Sequence, residues 1–220
     1  MARQGGRRAA ESRVDRMATQ FVQKLVDSGI DGVGRLEPAR AVAEAARSRS
    51  RTPEEAVDAV VRAHTRLVAA SGFVTGLGGI VTMPVALPAN VAGFYVVATR
   101  MVAAIADLRG YDLSREEVRS AVLLALVGAD ADDVLKKAGL TAAGGLRGIA
   151  LRRLPGPALM MVNKAIGFRL VSQVGKRGLA RLGRGVPLAG GVIGAGLDAW
   201  LLRKIAKAAR SEFPARPAPA

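Results

Sequence analysis

The 220-residue chain has no cysteine and a single histidine, His64. The first absence excludes disulfides, thiolate zinc sites and cysteine nucleophiles, and suits a reducing compartment. The second removes the usual base pairs of hydrolytic sites, and neither an HExxH nor a GxSxG pattern occurs. Aromatic residues are only 4% of the chain against 50% hydrophobic residues overall, so the core is built from Ala, Val, Leu and Ile. No stretch alternates with a period of two, which excludes half-buried strands. Acidic residues vanish between Val134 and Leu197.

What remains is strongly basic. The formal charge is +15 and the pI about 11.4, which predicts attraction to polyanions such as lipid headgroups, nucleic acid or acidic proteins. Arginine outnumbers lysine in an Ala-rich chain, a bias that a GC-rich genome also produces. The basic N-terminus carries no apolar signal-peptide core, so Sec export is not expected.

One stretch organises the rest: Leu67 to Ala106, whose only formal charge is Arg100. Gly72, Gly76, Gly78 and Gly79 crowd its first half, and Pro84 and Pro88 predict a helix break near Thr82 to Pro88. The part after Pro88 is apolar on nearly every side, as an enclosed helix is. Around it the chain reads as helices. Val14, Met17, Phe21, Val22 and Leu25 repeat at helical spacing up to Gly29, and Pro38 to about Arg47 forms a second helix. Thr52-Pro53-Glu54-Glu55 and Ser114-Arg-Glu-Glu117 predict capping boxes opening two more. His64 lies on the apolar stripe of the first of these, and reads as a core histidine with one hydrogen bond. Arg203, Lys204, Lys207 and Arg210 close the last helix. The prediction is an all-α, compact bundle of about 7–9 helices with two central, highly apolar Gly/Ala-rich helices. Residues 1–12 form a disordered basic arm, 13–213 the single helical domain, and 214–220 a disordered Pro/Ala tail.

Motifs for chemistry fail on inspection. Gly76-Leu77-Gly78-Gly79 lacks the following Lys-Ser/Thr and a preceding strand, so no phosphate loop is supported. Gly72 with Gly76, Gly144 with Gly148, and Gly190 with Gly194 are instead spaced for close helix approach. Asp130, Asp132 and Asp133 lack the Gly and terminal Glu of a calcium loop and suit a helix N-terminus. Asp198 stands in an apolar helix with no basic residue three or four positions away, and is expected to bond across to another helix. No catalytic, metal or cofactor site is expected, and the protein reads as a non-enzyme.

The informative charge feature is the acid-free span. It holds Lys136, Lys137, Arg147, Arg152, Arg153, Lys164, Arg169, Lys176, Arg177, Arg181 and Arg184, interleaved with aliphatics and methionines. A solvated helix surface is its bland reading. Beyond that, the mixture suits anionic headgroups with apolar insertion better than nucleic acid, because Phe168 is the span's only ring. Leu67 to Met83, Pro88 to Ala106 and Val186 to Leu202 are each borderline for crossing a bilayer, by length, glycine content or charge. A fold that associates with the membrane surface is favoured over a spanning one.

The order SGFVTGLGGIVTMPVALP, then ADLRGYDLSREEVRS, then VPLAGGVIGAGLDAWLLRKIAKAARSEF resembles the bacterial EcsC family over about Pro53 to Phe213. The resemblance places family marks on Gly76, Gly78, Gly79, Pro84, Pro88, Gly110, Tyr111, Asp112, Pro187, Gly190, Gly194 and Asp198. Ala86-Leu87 stands where the family often has an acidic residue, and Asp198 where it often has Asn. It implies a membrane-linked accessory protein of the cytoplasm, peripheral to the cytoplasmic membrane, and no reaction. Anionic lipids are then the expected partner. A protein-binding scaffold for a membrane transporter is the alternative, with nucleic-acid binding third.

Overall fold

Capping chemistry sets where the helices begin. The computed structural model describes residues 16, 19–34, 36–76, 79–127, 156–182 and 187–216, and every regular element among them is helical. Helix α1 covers residues 19–25 and widens into a π-helical turn over Val26–Ile30. Then come α2 (Ala39–Ser48), α3 (Pro53–Gly76), α4 (Gly79–Leu108), α5 (Glu116–Val127), α6 (Gly156–Leu182) and α7 (Pro187–Glu212). At the start of α3 the Thr52 hydroxyl accepts the Glu55 N–H at 3.1 Å, while the Glu55 carboxylate takes the Arg51 N–H at 2.8 Å. The reciprocal half of the capping box has therefore shifted one residue back. At α5 the expected box gives way to another device. Asp112 accepts both the N–H and the hydroxyl of Ser114, at 2.9 and 2.7 Å, which organises the turn and delays the helix to Glu116.

The long apolar stretch does not break at its prolines. α3 ends at Gly76 and α4 runs from Gly79 through both Pro84 and Pro88 to Leu108. Each proline deletes one N–H and one bond of the helical ladder. Tertiary packing offsets that loss: most of Val91–Leu108 is buried, and among the described residues α4 packs against all six other helices. Met101 through Ala106 are fully buried on every side of the helix, as an apolar segment without a polar face requires. Among the described residues, Val91–Leu108 is long and apolar enough to cross a membrane, and 72% of it is buried inside the protein.

α1 meets α4 at Gly29, where a Cβ would fall 2.7 Å from Thr99 Cβ. Beside this approach Tyr95 receives Phe21 and Phe94 edge-on, at 6.2 and 5.5 Å between ring centroids. The most extensive helix pair is α3 with α7. A 2.6 Å ion pair between Asp58 and Arg210 joins the start of α3 to the end of α7, so the two run antiparallel. Gly72 and Gly76 fall on α3 and Gly190 and Gly194 on α7, the helices that pack most extensively; Gly144 and Gly148 lie outside the described residues. So do the basic arm and Asp130, Asp132 and Asp133. The expected tail begins with residues tied to the fold: the Arg216 N–H donates to the Arg109 carbonyl at 3.0 Å.

Candidate functional site

Three places in the fold gather polar or exposed side chains with something to do. The first is internal. His64, only 3% exposed on α3, places Nδ1 2.8 Å from the Val60 carbonyl, and Arg100 of α4 donates from Nε to His64 Nε2 at 3.3 Å. Arginine carries donors only, so Nε2 presents its lone pair and the ring proton sits on Nδ1. Burial, and secondarily the Arg100 charge, lower the His64 pKa from 6.5 to about 4. The Arg100 guanidinium is itself held below its ordinary value by burial, partly offset by Glu37. A neutral imidazole wedged between a carbonyl and a cation locks two helices together, and it exposes no face to a substrate. The expected core histidine is thus present, with a second bond that only the fold supplies.

This pair has a pH signature. Native His64 stays neutral down to about pH 4, whereas the unfolded ring protonates below about 6.5. The unfolded state therefore binds more protons across that window, and stability falls as pH drops through it. At pH 4.5 the loss due to this group is about 2 kcal/mol. In urea titrations at pH 7.5 and 4.5, His64→Gln, which retains an acceptor for Arg100, is expected to show a pH dependence smaller by that amount. An unchanged difference would place the acid sensitivity elsewhere.

The second place is the turn between α4 and α5, which carries Gly110, Tyr111 and Asp112. Gly110 has φ +81°, which glycine adopts without the Cβ penalty, and the turn positions Tyr111 against Phe213 at 5.0 Å, edge to face. Arg216 also lies over the Tyr111 ring, 5.5 Å from its centroid. The Ser114 N–H and hydroxyl, with Arg40 and Arg115 nearby, hold the Asp112 carboxyl below the usual carboxylate range. Asp107 pairs with Arg47 at 3.2 Å and Arg40 at 3.6 Å, and Glu54 with Arg109 at 3.0 Å. A bidentate Asp31–Arg119 pair, at 2.6 and 2.7 Å, ties α1 to α5. These carboxylates are engaged by guanidinium groups. Among the described residues no three metal-ligating side chains come together. The turn works as a clasp for the C-terminal end of α7.

The third place is surface. On α6, Met160 is 72% exposed, Phe168 55% and Met161 52%, and Lys164 is exposed among them. At 3.6 residues per turn these four share about 100° of arc. The opposite side buries Val162, Ile166 and Leu170, and the Ser120 hydroxyl of α5 donates to Asn163 at 3.0 Å. On α7, Leu197 and Trp200 are exposed and the Lys204 ammonium lies 5.5 Å from the Trp200 ring centroid. Of the basic residues singled out in sequence, Lys164 is thus exposed on α6 and Arg169 half-buried on the same helix. Lys176, Arg177 and Arg181 lie along α6, though their side chains fall outside the described set. Lys136, Lys137, Arg147, Arg152, Arg153 and Arg184 lie outside the described residues altogether. The structure therefore brings together one cation of the span with two methionines and its one ring.

The family-type marks divide in the same way. Gly76 ends α3, Gly79 begins α4, Pro84 and Pro88 lie inside α4, and Gly78 falls outside the described residues. Pro187 opens α7, where its missing N–H costs nothing. Gly190, Gly194 and Asp198 lie along that helix, and Asp198 is buried and engaged in a polar or electrostatic interaction. Sequence reasoning missed two features, the Arg100 bond to His64 and the exposed Trp200. The second had a signal: Leu197, Trp200 and Lys204 recur at three and four residues along one helical face.

No curated protein and no solved structure is detectably similar to the chain. A family model described as the EcsC protein family matches residues 8–217, extending on the N-terminal side well beyond the Pro53 to Phe213 resemblance. By that match, which covers nearly its whole length, this all-α chain belongs to the EcsC protein family.

Proposed function

We propose that the protein is a non-enzymatic, membrane-associated accessory protein that contacts anionic lipid through its basic, acid-free span. One observation carries this reading: Met160, Met161 and Phe168 stand exposed on a single face of α6 with Lys164 among them. Large apolar side chains grouped on one face in a basic setting insert at the headgroup boundary while the cations meet phosphate. Between Val134 and Leu197 no carboxylate opposes that contact. The reading places the protein at the cytoplasmic membrane surface, with the apolar α4 serving as core.

Co-sedimentation with vesicles is the test. Binding is expected to vesicles containing phosphatidylglycerol, to be weak to phosphatidylcholine alone, and to fall as salt screens the attraction. Met160→Ser with Phe168→Ser is expected to weaken partitioning tenfold or more, on the order of the transfer energy of two partly inserted side chains. Absence of binding to both vesicle types at low salt overturns the proposal.

A further inference from the structure

We propose that the outer face of the α3–α7 pair is a second membrane-contact surface, with Trp200 as its interfacial anchor and anionic lipid headgroups as its occupant. The inference rests on the membrane reading above but concerns a different face and different residues. On α7, Leu197, Trp200, Arg203, Lys204 and Lys207 share about 120° of arc on the exposed side, opposite the buried Leu202, Ile205 and Ala209. Trp200 is the only tryptophan of the chain and is 57% exposed, with its ring beside the Lys204 ammonium. A buried indole is readily explained by packing; an exposed one beside a leucine and three cations is not.

α3 extends the same surface. The Asp58–Arg210 pair fixes the register, and Arg62 and Arg66, one and two turns further along α3 on the Asp58 side, are exposed. In antiparallel register they stand level with the α7 segment that carries Arg203 and Lys207. Beyond that ion pair neither helix exposes a carboxylate. The α7 acids are Asp198, which is buried, and Glu212 at the helix end, and α3 has none after Asp58. The result is a cationic surface bordered, towards the N-terminal half of α7, by an indole and an aliphatic side chain. Charge complementarity selects a polyanion. The amphipathic indole beside leucine selects the headgroup boundary of a bilayer, where tryptophan settles with its ring apolar and its N–H wet.

The single tryptophan makes the test direct. Trp200 emission of the full-length protein is measured with vesicles containing phosphatidylglycerol, with phosphatidylcholine vesicles, and with vesicles of brominated phosphatidylglycerol, alongside co-sedimentation. A blue shift with the anionic vesicles and quenching by the brominated lipid are expected. Replacing Arg203, Lys204 and Lys207 by glutamine should weaken partitioning by about a hundredfold, with unchanged far-ultraviolet circular dichroism showing that the variant is folded. Sedimentation with anionic vesicles while Trp200 emission stays unshifted and unquenched would overturn this inference and leave the α6 reading standing. Equal binding by the glutamine variant would also overturn it. Protection of Trp200 from iodide by double-stranded DNA, with no response to vesicles, would make nucleic acid the occupant and overturn it as stated. No sedimentation with any vesicle would overturn both readings.

Discussion

Phe213→Ala is expected to lower the free energy of unfolding by about 3–5 kcal/mol, the range for truncating an enclosed aromatic side chain. Phe213 is fully buried although it lies just past the end of α7, and its N–H closes the helix on the Ala209 carbonyl at 2.9 Å. Its ring meets Tyr111 edge-on at 5.0 Å, so its removal opens a void under the turn of residues 109–112. That turn also holds Arg216, by a backbone bond to Arg109 and by stacking on Tyr111. The control is Arg216→Ala, which removes an exposed cation–π contact and is expected to cost at most about 1 kcal/mol. Chemical denaturation of both variants, with midpoint and slope compared, checks the claim. A Phe213→Ala loss below about 1 kcal/mol would mean that the clasp does not stabilise the bundle.

Gly32→Ala is expected to cost about 2–5 kcal/mol, against about 1–2 kcal/mol for Gly34→Ala in the same connection. Both glycines have positive φ, +79° and +61°, so each substitution bears the left-handed penalty of an L residue. They differ in their surroundings. A Cβ at Gly32 would lie 2.5 Å from the Leu36 carbonyl oxygen, 2.7 Å from Pro38 N and 2.9 Å from the Glu37 carbonyl carbon, whereas one at Gly34 meets nothing within 4 Å. The atoms at Gly32 are backbone and cannot turn aside. Relief requires moving the entry to α2, which carries the buried Ala39 and Ala43 and the Arg40 and Arg47 partners of Asp107. Thermal or urea unfolding of the two variants side by side measures the difference. Equal losses would show that conformation alone, and not the close approach, sets the demand for glycine.

The first of these sites bears on how the EcsC-type pattern is read. Gly110, Tyr111 and Asp112 build a clasp and a turn, and Pro187 opens a helix; in this chain the residues that are easiest to recognise serve architecture. The large apolar side chains left exposed, Met160, Met161 and Phe168 on α6 and Trp200 on α7, stand outside the recognisable marks. The membrane proposal therefore rests on what the fold leaves exposed, and the vesicle measurements address it independently of family membership.

Much of the architecture was legible in the chain itself. Helical spacing of apolar residues, the absence of alternation and the Thr52 cap are local signals, each acting within about four residues, and they determined an all-α fold. The lack of any polar face along residues 101–106 likewise determined that this segment is enclosed. Tertiary structure decided the rest, because the competing terms there are long-range. Whether two prolines end a helix depends on long-range packing that no local signal reports, and α4 runs on through Pro84 and Pro88. Whether Ser114 caps α5 depends on where Asp112 is held, and whether His64 has one partner or two depends on a residue 36 positions away. Periodicity assigns a residue to a helix face but not to inside or outside, since that is settled by which neighbours arrive. So the sequence by itself determined a basic helical bundle around an apolar core helix. Only the packing of α3, α6 and α7 decided which methionines, phenylalanine and tryptophan remain on the surface.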